Sequence, residues 1–273
     1  MNERALKAQL TRTWDVFFSP HGRFTAAQVA AIPPLLAGAN VMLCAATASG
    51  KTAAALAPLI ERHLPPQHTQ PALSLLYLLP TRALVGDLFK RLQPPLERTR
   101  VSFATKTRDL TTFDVRRPAN LLLTTPESLD SLMAAEPRIL NQVRAVVIDE
   151  IHAFDGTVRG DQLRVLLNRL RQIRHYAHSA GDADHADIQF AALSATVADP
   201  ARMAARYFSP VEVVTVGGSR VMDAALVPLE ADDPGALFDV LNTFRERGWR
   251  KCLVFCNTRA EVEAYAERVR RGT

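Results

Sequence analysis

The sequence predicts an α/β protein: a parallel sheet sandwiched by helices. Short apolar runs alternate with helical stretches from Val41 onward, one run opens into a loop ending Ser49-Gly50-Lys51-Thr52, and another ends in Asp149-Glu150. Alternating strands and helices argue for parallel pairing, because parallel neighbours need a crossover and a helix fills it. Strands are expected near residues 41–45, 73–79, 101–105, 120–124, 144–149, 189–194 and 211–216. With 273 residues, 48% of them hydrophobic, the chain can bury one full core and part of another.

The N-terminus, MNERALKAQL, reads as a polar helical start without a signal-peptide core. After Gly38 comes the apolar run Asn40–Cys44, then the loop CAATASGKT at 44–52, then an Ala/Leu-rich helical stretch from Thr52 to Leu59. At such a strand–loop–helix junction the N–H groups of Ser49, Gly50 and Lys51 point at an anion where the helix dipole favours negative charge. Lys51 would reach the β/γ-phosphates of a nucleotide, and the Thr52 hydroxyl would hold a magnesium ion bridging them. Thr47 belongs to the same binding set, and Gly50 permits close approach. The competing reading is a chance small-residue turn, which the combination of context and GKT disfavours.

The run Leu75–Leu79 ends in Pro80-Thr81-Arg82-Ala83-Leu84, and the run Leu121–Leu123 ends in Thr124-Thr125-Pro126-Glu127-Ser128-Leu129. Arg82, Thr81 and Thr125 can donate to phosphate oxygens without reading a base. Taken singly, each is equally well a plain strand-end turn. Arg144–Glu150 is four apolar residues followed by two acids, as in buried parallel strands with function at the carboxyl end. Asp149 is placed to hold the magnesium, directly or through water, and Glu150 to orient and deprotonate an attacking water.

Arg159, Arg164, Arg169, Arg171 and Arg174 fall on one expected helix, with Val165, Leu166, Leu170 and Ile173 on another face. A solvated arginine face is the favoured reading there. The loops at 64–71 and 179–187 are expected to be exposed and mobile. Past Gly217-Gly218-Ser219 an extended link through Ala224 to Leu229 should lead into a second unit. That unit is expected to be helical at 234–248, a strand and turn at 251–259, and helical again at 261–271; one strand cannot make a sheet.

A net charge of +5 and a pI near 9.4 suit a polyanionic partner. Cys44, Cys252 and Cys256 lie in apolar runs, read as small buried residues of a reducing cytoplasm. The histidines lack partnered cysteine spacing, so no zinc site is expected. No apolar run has the length of a membrane span, and the protein is expected to be cytoplasmic.

Asp149-Glu150-Ile151-His152 is similar to the DExH signature, and Ser194-Ala195-Thr196 to the SAT motif, of superfamily-two DExH/DEAD-box helicases. Their phosphate loop, of the form AxTGSGKT, tolerates alanine where Ala45 stands; Ala48 replaces a second glycine of that pattern. Phe24-Thr25-Ala26-Ala27-Gln28 resembles the Q motif, whose glutamine amide selects adenine. The segments at 80–84 and 124–129 resemble motifs Ia and Ib, and Cys252–Arg259 resembles motif IV. The stretches PTRALVGDLFKRLQPPLE, TTPESLDSL and DEIHAFDGTVRGDQLRVLLNRLRQI look most like the large helicase-related (Lhr-like) group. One departure is Lys106-Thr107-Arg108-Asp109, where that group often has a Thr-Gly-Asp turn. Arg108 cannot adopt a positive φ cheaply, so a reshaped loop is expected.

The resemblance implies a RecA-like first domain over 1–218, a P-loop NTPase, followed over 219–273 by a linker and the truncated start of a second RecA-like domain. It implies ATP and Mg²⁺ as cofactors, with Gln28, Thr47, Ser49, Gly50, Lys51 and Thr52 holding nucleotide. Catalysis would rest on Glu150, Lys51 and Asp149, and coupling on His152, Ser194 and Thr196. Thr81, Arg82, Thr125, Pro126 and Glu127 would line the nucleic-acid path, single-stranded or duplex-junction DNA being favoured over RNA. The family's later arginines have no match here, so the chain is expected to be the front part of a longer motor with slow turnover alone. An ATP-gated nucleic-acid or protein binding module that never unwinds is the alternative. Another phosphate-loop class, such as a kinase or transporter ATPase, is opposed by DEIH, SAT and motif IV together.

Overall fold

A computed structural model describes residues 3–64, 71–217, 234–248 and 251–271. The expected link at 224–229 and most of the loop at 64–71 lie outside the described residues. The chain divides into two compact units, Met1–Ser219 and Arg220–Thr273.

The first unit opens with α1 (Glu3–Gln9) and an irregular turn at Trp14–Phe18, then α2 (Ala26–Ala37). Glu61 ties this entry segment down by accepting from Arg12 N at 2.7 Å and from Thr13 N and Oγ1 at 2.8 Å. A capping box starts α2: the Thr25 hydroxyl accepts from Gln28 N, and the Gln28 side chain accepts from Thr25 N. Next come β1 (Val41–Ala45), α3 (Lys51–His63), β2 (Leu75–Leu78), α4 (Arg82–Thr99), β3 (Phe103–Lys106), β4 (Leu121–Thr124) and α5 (Pro126–Ala135). The unit finishes with β5 (Ala145–Ile148), α6 (Val158–Ser179), β6 (Gln189–Ser194), α7 (Pro200–Ala205) and β7 (Glu212–Val216).

All seven expected strands are present, pairing in parallel in the order β3-β4-β2-β5-β6-β1-β7. Side-chain alternation splits the core in two. Leu43, Leu75, Tyr77, Leu123, Val147 and Leu193 pack with α2, α3 and α4 on one face. Met42, Leu76, Leu78, Leu122, Val146, Ile148 and Phe190 pack with α5, α6 and α7 on the other. Strands buried on both faces explain the unbroken apolar runs of the sequence. Because the strands are parallel, the loops following β1, β2, β4, β5 and β6 open on one edge.

Four expectations are corrected. Arg174 is fully buried, donating to the Asn141 and His185 carbonyls, while Arg171 lies 4.5 Å over the Phe190 ring. Val165 is 57% exposed, because the buried stripe of α6 runs through Leu163, Leu166, Leu167, Leu170, Arg174 and Ala177. The 179–187 loop is largely exposed as expected, but it is tied down where Asp184 meets Arg144 at 2.8 Å and Arg174 at 3.6 Å. Burial acts to raise the Asp184 pKa, but the charges of Arg144, His185 and Arg174 and a backbone hydrogen bond together outweigh it and hold the carboxyl below its usual value. Cys252 is exposed, although Cys44 is buried.

In the second unit, α8 (Pro234–Glu246) and α9 (Arg259–Arg271) are helical as expected. Residues 251–256 form no strand, and Phe255 is 90% exposed. A strand is held by pairing its backbone groups with neighbours, and none is present among the described residues. Among the described residues, no helix is long and apolar enough to cross a membrane.

Candidate functional site

The loop between β1 and α3 has the geometry of an anion cradle. Ala48 and Gly50 have φ of 60° and 81°, and Gly50 caps α3 without any side-chain hydrogen bond. The first N–H groups of α3 are therefore left for a ligand. The Ser49 Oγ is buried with no partner. Lys51 is buried, its Nζ donating to the carbonyls of Ala45 at 2.8 Å and Ala46 at 3.0 Å. The start of α2 grips the loop from behind: the Thr25 hydroxyl donates to Ser49 O at 2.7 Å and Gln28 Nε2 to Gly50 O at 3.4 Å. A side chain at position 50 would put its Cβ 2.3 Å from Gln28 Nε2, so close approach and positive φ both require glycine. Gln28 itself is buried, with both ends of its amide engaged inside the protein.

Across the cleft, Asp149 follows β5. Its Oδ2 accepts from the Tyr77 hydroxyl at 2.7 Å and its Oδ1 from Glu150 N at 2.9 Å. Burial raises the Asp149 pKa, while the Tyr77 hydrogen bond and the Lys51 charge oppose that rise. Burial and the neighbouring Asp149 carboxylate also push the Tyr77 phenol well above its ordinary value. Glu150 sits at a left-handed φ of 47°. Its Oε2 lies 3.4 Å from His152 Nδ1, which is 3.1 Å from the Ser194 hydroxyl at the end of β6. Thr196 is exposed beyond that strand.

Thr47, Gly50, Lys51, Thr52, Asp149 and Glu150 line one cavity of about 480 Å³. Phe17, His21 and Arg91 line it too, three residues not singled out for the site from the sequence. Tyr77 was hidden as well, reading simply as one more apolar position in LLYLL. The free helix N-terminus, the orphaned Ser49 hydroxyl, the Lys51 ammonium and the Asp149 carboxylate fit a nucleotide triphosphate with a divalent cation.

A second cleft of about 440 Å³ on the same edge is lined by Thr81, Arg82, Arg108, Thr125, Glu127 and Arg159, among others. It brings together the segments after β2 and β4, Pro126 excepted. Thr81 caps α4, accepting from Leu84 N at 3.3 Å, and Pro126 occupies the first turn of α5. Arg82 pairs with Asp109 at 2.5 Å. Glu127 accepts from Arg159 Nε at 2.7 Å, while Arg159 Nη2 donates to Pro80 O at 2.7 Å. Burial would raise the Glu127 pKa, yet hydrogen bonds from Arg159, the backbone and Thr125, with the Arg159 charge, together outweigh it and the net shift is downward. Glu127 thus braces the two segments through Arg159. The 107–110 turn closes on Thr107, whose N donates to Leu110 O at 2.8 Å, and Arg108 keeps a negative φ.

A DEAD/DEAH box helicase family model matches residues 25–204. The ATP-dependent helicase Lhr-Core of Methanothermobacter thermautotrophicus is 32% identical over 88% of this chain and 31% of its own length. The ATP-dependent DNA helicase Hel308 of Methanococcus vannielii is 26% identical over 81% of this chain and 30% of its own. Helicase Lhr of Mycobacterium smegmatis, solved bound to ssDNA and AMP-PNP, superposes with a TM-score of 0.76 at 29% identity, covering 94% of this chain and 35% of that one. The chain therefore spans about a third of the length of these relatives. The seven-stranded parallel sheet is the RecA-like helicase fold, and with the family match over residues 25–204 the chain belongs to the DEAD/DEAH box helicases.

Proposed function

We propose that this chain binds ATP with Mg²⁺ in the cavity between β1 and β5 and forms part of a motor that couples hydrolysis to movement along a nucleic-acid strand. The observation that carries this is the single cavity lined by Lys51, Thr52, Asp149 and Glu150. In this reading Thr47, Ser49, Gly50 and Lys51 hold the phosphates, and Gln28 fixes the loop and discriminates adenine with its remaining hydrogen-bonding capacity. Thr52 and Asp149 hold the magnesium ion, which when bound neutralises phosphate charge. Glu150 takes the proton of the attacking water. His152 and Ser194 carry the state of that site to β6, with Thr196 at the exposed end of the same path.

Thr81, Arg82 and Thr125 grip the sugar–phosphate backbone, Pro126 starts α5 buried behind them, and Glu127 keeps Arg159 in place beside the cleft. DNA is favoured over RNA, because the Lhr relative is described bound to ssDNA and Hel308 is described as a DNA helicase. Residues 1–218 form the ATP-binding domain and residues 219–273 the start of a second RecA-like domain. An arginine supplied across the cleft raises phosphoryl-transfer rates by roughly 10³–10⁵ in such motors, so these residues alone are expected to turn ATP over slowly.

Steady-state ATP turnover, with and without single-stranded DNA or RNA and with Lys51→Ala as control, tests the reading. Slow turnover beside Lys51-dependent ATP binding is expected. Unaltered ATP affinity in Lys51→Ala would refute the site assignment. ATP-dependent capture of nucleic acid with no strand movement, once a complete second domain is supplied, would favour a binding module.

A further inference from the structure

Tyr77 is a tyrosine where the core asks only for an apolar side chain. It stands among four leucines in Leu75–Leu79, is fully buried, and packs with Leu75, Leu79 and Leu123 beneath α3 and α4. Its parallel partners are Leu123 on β4 and Val147 on β5. A buried phenol costs free energy unless its hydroxyl finds a partner, and phenylalanine would fill the same space without that demand.

The hydroxyl spends its proton on Asp149 Oδ2 at 2.7 Å, while Glu150 N holds Oδ1 at 2.9 Å. Two donors from two directions fix the plane of the carboxylate and leave each oxygen a further lone pair. The choice of donor matters. An arginine or lysine in this position would bring positive charge against a site meant for a cation, whereas a neutral phenol stabilises the carboxylate without that repulsion. The rigidity of β2, central in the sheet with neighbours on both sides, makes the aim of the phenol a property of the fold.

We infer that Tyr77 is a positioning residue for the cation site: its hydroxyl orients the Asp149 carboxylate so that Mg²⁺ is captured together with nucleotide. This rests on the reading of Asp149 as a magnesium-holding group. Partners that orient a metal-holding side chain typically change metal affinity about 10–100-fold when removed.

The test is equilibrium binding of a fluorescent ATP analogue to the 273-residue chain, in EDTA and in saturating Mg²⁺, for wild type, Tyr77→Phe and Lys51→Ala. The ratio of the two affinities is the readout. It isolates the cation, because the loop N–H groups and Lys51 are untouched in Tyr77→Phe. We expect Tyr77→Phe to bind the analogue as wild type does in EDTA and to lose roughly tenfold or more of the tightening that Mg²⁺ brings. Equal ratios in wild type and Tyr77→Phe would overturn the role of Tyr77 and leave the nucleotide site standing. Wild-type binding with no dependence on Lys51 would overturn the nucleotide site itself. If Tyr77→Phe does not fold, 3-fluorotyrosine at position 77 replaces it. That side chain is a stronger donor of nearly the same size, so the Mg²⁺ effect should change, and an unchanged ratio would count against the inference.

Discussion

At the carboxyl ends of β1 and β5, polar groups are held with capacity to spare; at the amino ends of β5 and β6, they are spent on one another. On the first side lie an uncapped helix start, the unpartnered Ser49 hydroxyl and a lysine resting on two loop carbonyls. On the other, His63 meets Gln189 at 2.8 Å, and the Gln189 amide donates to Leu35 O and Ala39 O at 2.9 and 2.8 Å. Asn40 accepts from Phe190 N at 2.8 Å and donates to Pro210 O at 2.9 Å, and Arg144 closes on Asp184. Pairing there is nearly complete, the Nε atoms of Arg144 and Arg174 being the exceptions. The paired end also contains the larger cavity, about 1000 Å³ against about 480 Å³. An uncapped helix start beside the Lys51 ammonium and the Asp149 carboxylate, and not volume, therefore distinguishes the proposed functional edge of this sheet.

If that contrast is right, substitutions at the two ends should fail in different ways. The largest effect should come from Glu150→Gln, which removes the proposed base and should lower ATP turnover by about 10²–10⁴ while leaving nucleotide binding and thermal stability near wild type. It is best measured with the second domain supplied, where turnover is fast enough to quantify, and retained turnover would assign the base to another residue.

Arg174→Met attacks the opposite end. It leaves the Asn141 and His185 carbonyls without their donor and should destabilise the fold by about 3 kcal/mol or more in urea titration. The nucleotide affinity of the folded protein should not change, and a parallel loss of affinity would show the two ends to be coupled.

The third effect depends on pH. Burial holds His63 neutral, its pKa pushed down to about 4 from 6.5, so the unfolded chain takes up the proton first. Stability that is complete above pH 6.5 should then be lost as the pH falls towards 4, by up to about 3 kcal/mol from this group. His63→Gln should show a flatter dependence between those limits, and identical pH profiles would contradict the assignment.

The smallest effect concerns the strained loop. Ala48 holds a φ of 60°, which costs an L-residue roughly 1–2 kcal/mol, partly offset by the greater freedom of glycine when unfolded. Ala48→Gly should stabilise the apo protein by about 0.5–1 kcal/mol in a thermal melt, and destabilisation would mean that the Ala48 methyl group makes a contact of greater value.

What the sequence made legible follows from the same contrast. The seven strands could be read because each is an apolar run closed by a polar turn, and the loop and DEIH segments because their chemistry depends on contiguous residues. Arg174 was misread because its charge masks its position: 163, 166, 167, 170, 174 and 177 share one helical face, and spacing alone would have placed it inside. Tyr77 and Phe17 could not be found that way, since their role comes from neighbours far away in sequence. The absent strand at 251–256 has a similar origin, for composition gives a strand its preference and only partners give it existence.

Amide hydrogen exchange of the apo chain, against the chain with ATP and Mg²⁺, tests the division between the two ends most directly. Ligand-induced protection should concentrate at residues 45–52 and 149–152, with 142–144 and 184–190 unchanged. Protection at the 184–190 end, or none at 45–52, would contradict it.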